Sequence, residues 1–237
     1  FQFLKDSWNI KGSFVISSAN NFPSDCGLAS SASSFAALTI ASSDLAVEQN
    51  PDQHVLWRDI ADASRKGSGS SIRSFYGPYS VWDEEGADEL ELPVTMFHQA
   101  VIVEDTKKLV SSSEAHKRVV TSPLFLGRED RTLQRLEKLI GAFQDQKWKL
   151  AFEICKDEFH DMHSLFSTSV PPFSYWSKGT DEVLEWTDKY WAEQKDGPIV
   201  TMDAGPNIHF LTRPDQGRLR DLIKKQFAHY RVYSQEE

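Results

Sequence analysis

Apolar residues recur every three or four positions across residues 129–143 and again across 148–166, the spacing of two long amphipathic helices. Upstream the pattern is different. Residues 13–17, Ser-Phe-Val-Ile-Ser, read as a strand, so the chain is expected to enter a strand almost at once. A glycine-containing loop and an alanine-rich helix around Phe35 follow, and a second helix is predicted over 55–64, closing on Arg65-Lys66-Gly67. Small residues fill 67–82, whose tail alternates toward a strand; 83–91 read as an acidic loop and 100–103 as an apolar strand. Residues 107–123 read as a loop with a hydroxyl-rich helix start. Pro171-Pro172 breaks the helical pattern, and 181–193 resume it. Residues 199–211 read as strand, turn and strand, the turn being Asp203-Ala204-Gly205-Pro206-Asn207, and a final helix over 214–228 is expected to close the chain. Segregated strands and helices predict an α+β fold, with domains at 1–95 and 96–237.

The chain has 237 residues, 40% of them hydrophobic, enough for a buried core. With 26 Lys and Arg against 35 Asp and Glu, its net charge is -9, which argues against general binding to nucleic acid or to an anionic membrane; any anionic ligand needs a local site. Cys26 and Cys155 are too few for a disulfide framework, which predicts a cytoplasmic protein. No stretch reaches the roughly 18 apolar residues of a membrane span. The chain begins at Phe1 without an initiator methionine, which predicts that an upstream portion is absent.

Three loops carry candidate chemistry. "NNFPSDCGLASSAS", residues 20–33, opens a helix, where unpaired N–H groups and the helix dipole attract phosphate; Gly27 and Ala29 allow close approach, and Ser30, Ser31 and Ser33 add hydroxyls. It lacks the Gly-Lys-Ser/Thr ending of a Walker A loop. "GSGSSIRSFYG", from Gly67, offers Ser68, Ser70, Ser71 and Arg73, whose guanidinium suits a carboxylate or phosphate. Asp203, at the end of a strand before a tight turn, suits proton transfer or orientation of a hydroxyl. Each also has a plain reading: a serine cap, a surface loop, an Asx turn. His160 and His163, three apart with no third ligand in view, read as packing residues of an aromatic-rich helix, and no metal ligand is assigned.

Together these loops resemble a known family. "PSDCGLASSAS" resembles the phosphate-binding motif of the GHMP kinase superfamily, and "RKGSGSSIRSFYG", "KKLVSSSEAHKRVVTSPLF" and "TMDAGPN" resemble the diphosphomevalonate decarboxylases within it. The resemblance implies a two-domain GHMP fold, ribosomal-protein-S5-like at its N-terminus and ferredoxin-like at its C-terminus. It implies ATP-dependent decarboxylation of mevalonate 5-diphosphate to isopentenyl diphosphate, with Mg²⁺ accompanying ATP and a homodimeric assembly. Carried over by position, Asp203 matches the catalytic aspartate and Arg73 the arginine that holds the substrate carboxylate. Ser68, Gly69, Ser70 and Ser112 match substrate-binding positions, and Gly27, Leu28, Ala29, Ser30 and Ser31 the ATP-phosphate loop.

The sequence departs from the family pattern at Ser34 and Pro78, often glycine, and at Ala115-His116, often Gly-Met and close to Ser112. The family's N-terminal strand, with a lysine that reaches the active site, has no counterpart here, which predicts that this chain alone is inactive. The competing readings are a phosphomevalonate decarboxylase, a mevalonate 3-kinase that phosphorylates without decarboxylating, and a non-catalytic binding protein of the same fold. Retention of both Arg73 and Asp203 favours decarboxylation.

Overall fold

The computed structural model describes residues 1–22, 29–106 and 109–234. They divide into two compact units, which meet in the chain at Glu91 and Leu92.

The first unit begins with a helix, Gln2–Ser7 (α1), not a strand. Residues 13–17, expected as a strand, join no sheet among the described residues, and Val15 is 98% exposed. The residue pattern there favours an extended backbone, but a strand exists only through the ladder it shares with a neighbour. The central element is the predicted alanine-rich helix, Ser30–Gln49 (α2), which buries Ala32, Ala36, Thr39, Ser42, Ser43 and Ala46. Hydroxyls can sit on this buried face because they bond back into the helix: Thr39 Oγ1 donates to Phe35 O at 2.7 Å and Ser42 Oγ to Leu38 O at 2.7 Å. The small side chains let helix Trp57–Ser64 (α3) and a 3₁₀ segment, Gly69–Phe75, pack against α2. The acidic loop holds a strand the residue pattern did not predict. Ser80–Trp82 (β1) pairs antiparallel with Ala87–Glu89 (β2), and Arg65 ties their turn down by donating to Asp83 O at 3.0 Å.

The second unit is a four-stranded antiparallel sheet with helices packed on it. Its strands are Phe97–Ile102 (β3), Ile199–Thr201 (β4), Ile208–Thr212 (β5) and Arg231–Ser234 (β6), in the order β4-β5-β3-β6. Between β3 and β4 run helices Ser112–Val119 (α4), Arg128–Gln144 (α5), Trp148–Thr168 (α6) and Lys178–Gln194 (α7); Gly217–Gln226 (α8) links β5 to β6. Two interleaved strand–helix–strand units give the ferredoxin-like arrangement. The last helix therefore does not close the chain, because β6 follows it and pairs with β3, Ile102 opposite Arg231.

Alternation explains the core: Ile208 and Phe210 of β5 point inward beside Val101 and Val200, against Phe152 and Phe159 of α6, Val183 of α7 and Ile223 of α8. Helices α5 and α6 are further joined by ions. Arg128, Arg131 and Arg135 of α5 meet Glu158 and Asp161 of α6, with Arg135 at 2.6 Å and Arg131 at 2.9 Å from Asp161. Burial pushes the Asp161 carboxyl up, but the arginines prevail and hold it down at about 2.

Candidate functional site

Of the predicted phosphate loop, Gly27 and Leu28 lie outside the described residues; Ala29, Ser30 and Ser31 lie within them. Ala29 precedes α2 in a left-handed conformation (φ 53°, ψ 33°), a costly one for a residue with a Cβ. It supplies no side-chain cap, and the first turn of α2 carries no acidic residue of its own that would compete with an anion for the positive end of the helix. That donor set fits a phosphate group.

The second loop lies beside this helix start. Gly67 approaches Phe35 so closely that a Cβ there would stand 2.0 Å from the ring's Cδ1, which explains the glycine by space and not by flexibility. The approach brings Ser68 Oγ within 3.4 Å of Ser31 Oγ, and Ser70 Oγ lies 3.4 Å from Ser68 Oγ. Residues expected to bind ATP and substrate thus share one row of hydroxyls. Ser71 turns the other way: it is fully buried and donates to Ser64 Oγ at 2.6 Å or to Ser68 O at 2.7 Å, so it shapes the loop. Gly69 is exposed. Arg73 is exposed as well; its Nε reaches Ser70 O at 3.5 Å, and no described carboxylate pairs with it. Its guanidinium can receive an anionic ligand.

In the second unit, Asp203 is exposed on the β4–β5 turn while the turn around it is fixed from several sides. Asp203 O accepts Gly205 N–H at 2.8 Å and His163 Nε2–H at 3.1 Å. Thr180 Oγ1 donates to Pro206 O at 2.8 Å. Asn207 holds the main chain of Glu104, accepting its N–H at 3.1 Å and donating to its carbonyl at 3.0 Å. The result is an exposed carboxylate on a held backbone.

His163 occupies the buried face of α6, four residues after Phe159 and three before Phe166, with Trp176 and Tyr175 around the ring. Burial, joined by the charge of His160, pushes its pKa down to about 4 despite the bond to Asp203 O. The residue pattern placed it correctly among aromatics but gave no sign of its bond to Asp203. A polar residue on an otherwise apolar stripe was the only available signal. His160 stacks on Phe159, a packing role.

Ser112 is exposed in the first turn of α4, whose N-cap is Ser111, accepting Glu114 N–H at 3.2 Å. The departure at Ala115 is buried against Phe166 and Tyr175, whereas His116 is exposed. Among the described residues no three His, Cys, Asp or Glu side chains gather as a metal cage, and no described helix is long and apolar enough to cross a membrane.

Comparison with known proteins gives concordant results. Residues 2–91 match the diphosphomevalonate decarboxylase-like N-terminal domain, and residues 100–236 the mevalonate 5-diphosphate decarboxylase C-terminal domain. The crystal structure of a mevalonate diphosphate decarboxylase from Legionella pneumophila is 42% identical, with a TM-score of 0.91, over 97% of this chain and 74% of that one. The diphosphomevalonate decarboxylase of Saccharomyces cerevisiae is 31% identical over 90% of this chain and 56% of its own length. A solved complex of MDDEF with MVAPP, AMPPCP and magnesium is 26% identical, with a TM-score of 0.74, over 91% of this chain and 70% of that one. The chain spans about three-fifths of the length of the curated relatives it matches.

Proposed function

The chain belongs to the diphosphomevalonate decarboxylase family, and on that premise we propose that the protein uses ATP to convert mevalonate 5-diphosphate into isopentenyl diphosphate, CO₂, ADP and inorganic phosphate. The observation that carries this reading is the exposed Asp203 carboxylate on a turn whose backbone is held by hydrogen bonds from His163, Thr180 and Asn207.

Asp203 orients or deprotonates the tertiary 3-hydroxyl, which takes the γ-phosphoryl group and so becomes a good leaving group. When the C3–O bond breaks, positive charge develops at C3. The electrons of the C1–C2 bond then form the C2–C3 double bond as CO₂ departs. Arg73 holds the substrate carboxylate, Ser68 and Ser70 bind its diphosphate, and Ser112 is assigned a phosphate-contacting role. The start of α2, with Ser30 and Ser31, takes the ATP phosphates. Mg²⁺ supplies charge neutralisation on those phosphates; the complex of a relative with AMPPCP and magnesium supports its use here. A cytoplasmic homodimer completes the reading. The two cysteines support that compartment, and the exposed Leu124, Leu126 and Val170 support self-association.

The test is Asp203→Asn and Arg73→Ala in the full-length protein. Asp203→Asn should lower CO₂ release at least about a thousandfold while nucleotide binding persists, and Arg73→Ala should lower the step that handles the carboxylate. Unchanged turnover in either variant would contradict the assignment.

A further inference from the structure

The Asp203 carbonyl is the point at which another helix takes hold of the residue that carries the proposed catalytic carboxylate. A carbonyl oxygen only accepts hydrogen bonds, so the 3.1 Å contact requires the proton on Nε2 of His163. Nδ1 is then a bare lone pair, and it is buried with no partner among the described residues. A second proton would create a buried N–H with nothing to receive it, so the ring is held in one tautomer. Its plane is fixed too, by Phe166, Trp176 and Tyr175 at centroid distances of 5.1, 5.7 and 6.4 Å.

The turn has further supports. Helix α6 packs on β4, the strand that leads into the turn. The bonds from Thr180 to Pro206 and between Asn207 and Glu104 secure the far end of the turn, three and four residues beyond Asp203. At Asp203 itself, the bond from Gly205 is internal to the turn, so it would move with the turn; the bond from His163 anchors the peptide to another element.

We propose that His163 is a positioning residue: its Nε2–H fixes the Asp203 peptide and thereby aims the exposed carboxylate at the reacting hydroxyl. This deepens the decarboxylase reading and rests on it. His163 touches no substrate and moves no proton. Its contribution is geometric, and a displacement of about 1 Å at a catalytic group is enough to lower a rate by up to about a hundredfold.

Two variants separate the donor from the bulk of the ring. His163→Phe fills the aromatic cage without the donor, and His163→Gln retains an N–H near the place of Nε2. In the full-length protein, amide hydrogen exchange at residues 203–205 and steady-state kinetics are measured together. His163→Phe should speed exchange there about tenfold or more, leave β5 and α7 protected, and lower kcat between about 10-fold and 100-fold with KM for both substrates within about threefold. His163→Gln should restore both readouts to within about threefold of wild type. Unchanged exchange and kcat in His163→Phe, a glutamine variant as impaired as the phenylalanine variant, or a loss confined to KM would overturn the proposal. A wild-type protein that releases no CO₂ would instead overturn the decarboxylase reading and the catalytic half of this one. The exchange measurement would still decide whether His163 fixes the turn.

Discussion

Ser31 Oγ and Ser68 Oγ stand 3.4 Å apart, so the start of helix α2 and the loop after α3 present their hydroxyls as one surface. If one phosphorylated ligand spans that surface, the two serines act together and their removal is not additive. Ser31→Ala and Ser68→Ala should each lower kcat/KM about tenfold, and the double variant should fall short of the product of the two by a factor of about three or more. A double-mutant cycle on the full-length protein checks this; strict additivity would mean that the hydroxyls serve separate ligands.

Gly67 is required by space. An added Cβ would meet Cδ1 of Phe35 at 2.0 Å and Cγ at 2.5 Å, atoms close to the helix backbone that cannot swing aside as a long flexible side chain would. Gly67→Ala should cost about 1–3 kcal/mol in urea unfolding and weaken the Ser31–Ser68 site. Adding Phe35→Ala should recover part of the activity lost. Wild-type stability in Gly67→Ala alone would contradict the packing described.

Acid should loosen the second unit in a defined window. Burial pushes His163 and His98 down to about 4 from 6.5, with His160 adding to the effect on the first and His209 on the second. Each folded ring binds a proton less readily than its unfolded counterpart. Their contribution to stability is therefore full above pH 6.5 and is lost as pH falls from 6.5 towards 4. At pH 4.5 each should cost about 2–3 kcal/mol relative to pH 7. Asp161, held at about 2, keeps its contribution through that range and loses it only below its ordinary value of 3.8. Denaturant titrations at several pH values read the slope, and His163→Phe should remove about half of it. A flat profile between pH 7 and 4.5 would contradict the burial of these rings.

Much of this was legible in the residues. Helices α5, α6 and α7 follow from apolar spacing alone, and the strand, turn and strand around Asp203 follow from apolar runs flanking a Gly-Pro-Asn turn. What escaped depends on partners remote in sequence. The β6 strand exists because Arg231 and Val232 find Ile102 and Val101 of β3, and residues 13–17 have the composition of a strand without such a partner among the described residues. The site shows the same division. Motif and order mark Ser68, Ser70 and Arg73, yet only packing shows that Ser71, in the same run, faces inward to Ser64 and that Gly67 rests on Phe35. The bond from His163 to Asp203 joins residues 40 apart and has no local signature.

The most direct test of the central claim is turnover by the full-length protein with ATP, Mg²⁺ and carboxyl-labelled mevalonate 5-diphosphate, following CO₂, inorganic phosphate and ADP together. Equimolar release of all three, lost in Asp203→Asn, is the predicted result. ADP without CO₂ would identify a 3-kinase, activity confined to the 5-monophosphate would replace the substrate, and silence with both substrates would contradict the enzymatic reading.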